Sequence, residues 1–152
     1  MVYDFNLAGK RIRLWRRPGE SYEHVLMKAL GYAMFIDDFP NLEVEKKVGL
    51  RYKPDLVAVG ENKRFVFWGE AGDNSFRKTL WLLKHAPVEK LVLFKIGASK
   101  THFIKQLRDE IPLKYRPDGK LILINFVSGI AGLTASKQIE KVSKDWFTET
   151  II

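Results

Sequence analysis

Apolar residues recur along this chain with two different periods. In KRIRLWRRP, residues 10–18, Ile12 and Leu14 alternate with Arg11 and Arg13, the period of a half-exposed strand that stops at Pro18 and reads as a sheet edge. From Gly19 to about Phe35 the spacing becomes three and four. Val25, Leu26, Ala29, Leu30, Ala33 and Met34 form one stripe of a helix, with acids in the first turn where the helix dipole favours them. After IDDFPN, the segment LEVEKKVGL alternates weakly as a strand, and RYKPDLVAVGENKRFVFWGEAG, residues 51–72, reads as a hairpin. Residues 73–85 open with Asp73, Asn74 and Ser75, the residue types that cap helices, and carry Phe76, Leu80 and Leu83 on one helix face. A buried-type strand over 88–97, a helix over 100–111, a strand over 120–127 and a terminal helix over 134–147 complete the pattern.

This order predicts an α/β layer structure, a mixed central sheet flanked by helices. The 152 residues, 46% of them hydrophobic, are the size of one domain over 1–152 and are enough to bury a full core. No repeat, low-complexity run or linker interrupts them.

Composition narrows the chemistry. Without cysteine there are no disulfides and no thiolate metal sites, so any metal is held by carboxylate, histidine or backbone oxygen, which points to Mg²⁺ or Mn²⁺. The formal charge of +8 favours polyanionic partners, and it equally suits a protein that merely stays soluble. No apolar run approaches the roughly 18 residues of a membrane helix, and MVYDFNLAGKRIRLWRR has no signal-peptide core, so the expected location is cytoplasmic with no membrane partner.

Within the hairpin, Asp55 and Glu70 stand in otherwise apolar runs. A turn at Gly60, Glu61, Asn62 and Lys63 sets Val59 against Arg64, Asp55 against Trp68 and Glu70 against Lys53. A shorter turn of Glu61 and Asn62 keeps the same parity. Asp55 and Glu70 then share one face as diagonal neighbours roughly 7 Å apart at Cβ, with Lys53 and Arg64 beside them. Two acids so placed repel unless a cation holds both ionised. They form a cation site, or else they begin and end two strands as ordinary solvated residues.

Pro54-Asp55, a hairpin, then Glu70-Ala71-Gly72 and a capped helix resemble the core of the PD-(D/E)XK nuclease superfamily, and most closely its YaeQ-like branch. The matching features are Pro18, Glu20, Ser21, Glu23 and His24 at the first helix, then Pro54, Asp55 and Leu56, then Trp68, Glu70 and Gly72, then Arg77, Lys78 and Lys84. They span about residues 18 to 96. The resemblance implies a restriction-endonuclease-like core that hydrolyses phosphodiester bonds of DNA or RNA, DNA more than RNA, with Mg²⁺ or Mn²⁺. It implies that Asp55 and Glu70 are catalytic and bind metal, with Glu20 and the Ala71 carbonyl as further ligands. Glu20 and Glu23 read equally as first-turn acids or capping groups.

The chain departs from the pattern at Gly72, where the superfamily carries a lysine. Some members supply a basic residue from the following helix instead. Here Lys78 is the candidate catalyst, set at the helix flank by ideal geometry, with Arg77 next to it and Lys53 across the hairpin. A solvated or phosphate-contacting lysine is the plainer role. Nucleic acid would be met through its backbone by Arg11, Arg13, Arg16, Arg17, Lys53 and Arg77, although the arginines of an edge strand also guard against edge-to-edge association. Nucleases of this size commonly pair to cut two strands, so the resemblance leaves room for a homodimer, with no dimer surface marked in the sequence. The absent strand lysine keeps a second function open: a catalytically degenerate nuclease fold acting as a nucleic-acid or protein binding module.

Overall fold

The computed structural model describes residues 1–73 and 75–152. Strands β1 (Val2–Leu7) and β2 (Lys10–Trp15) pair antiparallel, and β8 (Gln138–Ile139) adds to β1, making a three-stranded sheet ordered β2-β1-β8. The larger sheet has the order β3 (Glu43–Val44), β4 (Leu56–Val59), β5 (Phe65–Ala71), β6 (Leu91–Ile96), β7 (Leu121–Phe126), β9 (Phe147–Ile151). Its three central strands, β5, β6 and β7, run parallel, and β4 and β9 flank them antiparallel. The helices are α1 (Tyr22–Phe35), α2 (Phe76–His85), α3 (Thr101–Glu110) and the single turn α4 (Ile130–Leu133).

The central strands read LVLFKI and LILINF because a parallel strand covered on both faces alternates little in polarity. Two apolar layers lie on either side. Leu56, Ala58, Phe67 and Phe94 pack under α1, and Val57, Trp68, Leu93 and Leu123 pack under α2 and α3. Adjacent residues of β5 thus serve opposite layers, Phe67 one and Trp68 the other. Ten of the fourteen residues of α1 are buried, since the helix is covered by the small sheet as well as the large one.

Several elements differ from the sequence pattern. β1 lies outside the expected elements, yet Phe5 and Leu7 are core residues. The first helix starts at Tyr22, because Ser21 caps it and the preceding residues turn through Gly19 at positive φ. The strand expected over LEVEKKVGL shrinks to Glu43–Val44, since Glu45 and Gly49 both take positive φ and end the extended run. No terminal helix forms over 134–147. Ser136 and Ser143 accept hydrogen bonds from the backbone N–H groups of Gln138 and Asp145, local bonds that compete with a helix, while Ile139 pairs in β8 and Phe147 begins β9. The hairpin register also shifts. Leu56 faces Gly69 and Val57 faces Trp68, but Val59 faces Phe65, so Val66 is the extra residue of a bulge. The expectation that Asn74 contributes to the start of the second helix lies outside the described residues.

Helix α1 packs tightly against the large sheet at Gly31. A Cβ there would lie 2.7 Å from Leu56 Cδ1 and 2.8 Å from Phe94 Cζ. Gly31→Val should therefore overpack this contact and lower the unfolding free energy by about 2 kcal/mol, read from denaturant midpoints at unchanged m-value.

Candidate functional site

Two carboxylates meet at the carboxyl end of β5, and each is taken by a side chain from a different face of the sheet. Asp55 immediately precedes β4, and its Oδ2 accepts the Ala71 N–H at 2.8 Å, which ties it to the end of β5. Its Oδ1 lies 3.4 Å from His24 Nε2 on α1. Glu70 points to the other layer, where its Oε1 accepts the Trp68 indole N–H at 2.8 Å and its Oε2 accepts from Lys78 Nζ on α2 at 3.0 Å.

The two helices present these residues by the same local device. Ser21 caps α1 by accepting the N–H of His24 at 3.1 Å, and Ser75 caps α2 by accepting the N–H of Lys78 at 3.0 Å. Each partner is therefore the third residue after a serine N-cap, in the first helical turn where side chains stand beside the strand end. Lys78 also lies 5.1 Å from the centre of the Tyr52 ring, which supports its stem and ammonium from the other side.

Behind His24 runs a chain of ion pairs. Glu20 Oε2 sits 3.5 Å from His24 Nε2 and accepts from Lys28 Nζ at 2.7 Å. Lys28 is almost fully buried and donates equally, at 2.7 Å, to Glu45, which also meets Arg17 at 3.4 Å. The backbone N–H of Glu45 reaches the Asp55 carbonyl at 2.9 Å, which closes the circuit on the strand that carries Asp55. A buried ammonium needs such matched partners, and removing one would leave an uncompensated charge.

The environments push the two acids apart. Burial and the charge of Asp55 raise the Glu70 carboxyl to about 7, against the opposing pull of Lys78 and the Trp68 bond. Burial would also raise Asp55, but the bonds from His24 and the Ala71 N–H, with the His24 and Lys28 charges, outweigh it and hold Asp55 below the usual carboxylate range. The Asp55 bond correspondingly raises His24 against desolvation. Glu20 is held low, the bonds from Lys28 and the Arg17 N–H overcoming its burial.

The remaining candidates fall in three places. Ala71 closes the strand and gives its N–H to Asp55. Lys53 lines a groove with Arg17, Glu20, His24 and Asp55. Arg77 and Arg16 are exposed, and Arg11 and Arg13 pair with Asp4 at 3.3 and 3.0 Å on the edge of the small sheet. Arg64 leans away towards Glu89. Lys28 and Glu45 escaped the sequence reading, because a lysine within an apolar helix stripe reads as a flank residue. Among the described residues no group of three or more His, Asp or Glu side chains is arranged to hold a metal ion. None of their helices is long and apolar enough to cross a membrane.

Gly72 has a local reason to be glycine. Its φ is +83°, and a Cβ would come within 3.1 Å of His24 Nδ1. A lysine at this position would therefore be strained in the backbone and would press on the imidazole that holds Asp55. Gly72→Lys should lower stability by about 1–3 kcal/mol. In a His24→Ala background the penalty should shrink towards the backbone part alone, as a double-mutant cycle of denaturation free energies would show.

Glu70 also fixes a pH dependence. Its native pKa lies above the ordinary glutamate value, so the native state binds the extra proton more tightly. The associated stability is fully present below about pH 4.5 and is lost as pH rises through about 7. His24, raised as well, contributes in the same sense. Relative to Glu70→Gln, the wild type should lose about 2–3 kcal/mol of unfolding free energy between pH 5 and 8, and parallel curves for the two proteins would refute the assignment.

No family model matches the chain, and no curated protein does. Solved structures similar to it include the YaeQ protein from Xanthomonas axonopodis pv. citri, which superposes with a TM-score of 0.64 at 17% identity over 89% of this chain and 77% of that one. The YaeQ protein from Pseudomonas syringae superposes with a TM-score of 0.60 at 15% identity, over 97% and 90% of the two chains. At such identities the likeness is one of architecture: this chain has the fold of the YaeQ proteins.

Proposed function

We propose that the chain is a divalent-metal-dependent, nuclease-like enzyme of the PD-(D/E)XK kind that hydrolyses phosphodiester bonds of nucleic acid, DNA more than RNA. Its variation is that the lysine comes from helix α2 and not from the strand. The observation that carries this reading is Lys78 Nζ at 3.0 Å from Glu70 Oε2, at the strand end where Gly72 leaves no side chain.

The donor set suits a hard cation. Mg²⁺ characteristically binds through one or two carboxylates, keeps several waters and completes its shell with substrate phosphate. Asp55 and Glu70, with the Ala71 carbonyl, offer that kind of site, and the raised Glu70 carboxyl beside a negative Asp55 is the imbalance a dication relieves. Glu20 is engaged by Lys28 at 2.7 Å and serves this arrangement through His24. When bound, Mg²⁺ or Mn²⁺ would lower the pKa of a coordinated water and offset charge on the phosphoryl oxygens.

The residues of the chain divide the remaining work. His24 and the Ala71 N–H fix both oxygens of Asp55, so this carboxylate keeps one orientation. Glu70, titrating near neutrality, holds or releases a proton at Oε2. Lys78 keeps N–H groups beyond the one on Glu70, and these can hold the attacking water or a non-bridging oxygen. Arg11, Arg13, Arg16, Arg17, Lys53 and Arg77 would meet the phosphate backbone, with affinity that falls steeply in salt.

A second reading has its own support. The Lys78 ammonium already neutralises Glu70, and no third carboxylate joins the pair among the described residues, which favours a degenerate nuclease fold that binds nucleic acid or protein without cutting. Mn²⁺ titration combined with cleavage of single-stranded DNA, duplex DNA and RNA separates the two. The nuclease reading expects Mn²⁺ binding that weakens in Asp55→Asn and Glu70→Gln, and turnover reduced about 100-fold in either variant and in Lys78→Met. Nucleic-acid binding without cleavage would establish the second reading. Equally poor Mn²⁺ binding by wild type and both acid variants would remove the metal from the account.

A further inference from the structure

Three lysines are largely buried around the carboxyl ends of β5 and β6, and two of them have their charge matched. Lys28, with 1% of its side chain exposed, has carboxylates of Glu20 and Glu45 at 2.7 Å. Lys78, 22% exposed, has Glu70 at 3.0 Å. Lys95, 13% exposed, has only Asp73 at 3.9 Å among the described carboxylates, and the Asp73 side chain is itself fully in solvent. The Lys95 ammonium instead donates to the Gly72 carbonyl and lies 4.9 Å from the centre of the Phe103 ring. A carbonyl and a ring face orient a cation without cancelling its charge.

That charge faces a pocket of about 470 Å³ between the first turn of α1 and the ends of β5 and β6. Lys100 lines the same pocket and adds a second positive charge. Glu20, which Lys28 pairs at 2.7 Å, the exposed Glu23, His24 and the solvent-facing Asp73 also line it. Gly72, the residue that carries the accepting carbonyl, is two positions beyond Glu70 on β5, about 7 Å along an extended strand. Lys95 is therefore displaced from the atoms that Lys78 touches.

We infer that Lys95, with Lys100 beside it, binds a phosphodiester of the nucleic-acid strand next to the one that Asp55, Glu70 and Lys78 address. Lys95 is then a substrate-binding residue that extends the site into this pocket. The inference rests on the nuclease reading for its substrate, whereas the anion site stands on the lysine geometry.

The test uses the full chain and inorganic phosphate as the probe, followed by amide and lysine side-chain NMR shifts, with Lys95→Met, Lys95→Arg and Lys78→Met. Wild type, Lys95→Arg and Lys78→Met should bind phosphate with shifts centred on position 95, Gly72 and Lys100. Lys95→Met should bind roughly tenfold more weakly or worse while melting as a folded protein. Should Lys95→Met unfold, the charge-keeping Lys95→Arg paired with Lys100→Met still decides, because loss of phosphate binding is expected in the latter too. Phosphate binding within about twofold of wild type in folded Lys95→Met, or shifts scattered over the surface lysines, would overturn the inference. On an oligonucleotide that the wild type cleaves, Lys95→Met should raise KM about tenfold and leave kcat nearly unchanged, the mark of uniform binding. A wild type that cleaves nothing but binds phosphate at Lys95 would end the nuclease reading and leave the anion site in place.

Discussion

Two like charges held close together in a partly dry place set the terms for the rest of this molecule. Asp55 and Glu70 end neighbouring antiparallel strands, and neither can move off, because one is hydrogen-bonded to the Ala71 N–H and the other to the Trp68 indole. Burial first, and the charge of Asp55 after it, push the Glu70 carboxyl up to about 7. Each is relieved by a cationic or ionisable group arriving from a helix, His24 from one side of the sheet and Lys78 from the other. The sheet thus separates two supporting environments that meet only at its edge.

The supporting environments differ in depth. On the α1 side the relief continues inwards through Glu20, Lys28, Glu45 and Arg17, a ladder of alternating sign anchored on a nearly inaccessible lysine. On the α2 side it stops at Lys78 and the Tyr52 ring, close to solvent. On the first side each charge has a partner of opposite sign. The second has spare hydrogen-bonding capacity on one ammonium.

Much of this was legible in the sequence, for identifiable reasons. The central strands announce themselves because a parallel strand with two covered faces must be apolar throughout, and the helices because Ser21 and Ser75 cap them. Parity along the hairpin predicts one shared face for Asp55 and Glu70, but the side-chain partners come from opposite faces of the sheet, His24 of α1 for Asp55 and Lys78 of α2 for Glu70, because Asp55 lies just before β4 and outside the strict alternation of the ladder. What escaped were features that depend on partners distant in sequence. β8 joins β1 only once the chain has folded, and Lys28 is recognisable as an ion-pair hub only when Glu45 arrives from another element. The terminal segment failed for a local reason: Ile139 and Val142 mimic a helical stripe, whereas the neighbouring serines spend their hydroxyls on turns.

The fit between Gly72 and His24 has an evolutionary consequence. A strand lysine and this imidazole compete for one volume, with 3.1 Å available where a side chain would begin. A larger residue at 72 needs the imidazole on α1 to give by a few tenths of an ångström as well as a left-handed backbone, so the two positions are coupled across elements far apart in sequence. Substitutions at 24 and 72 are expected to change together, a smaller ring-site residue making room for a larger one at the strand end.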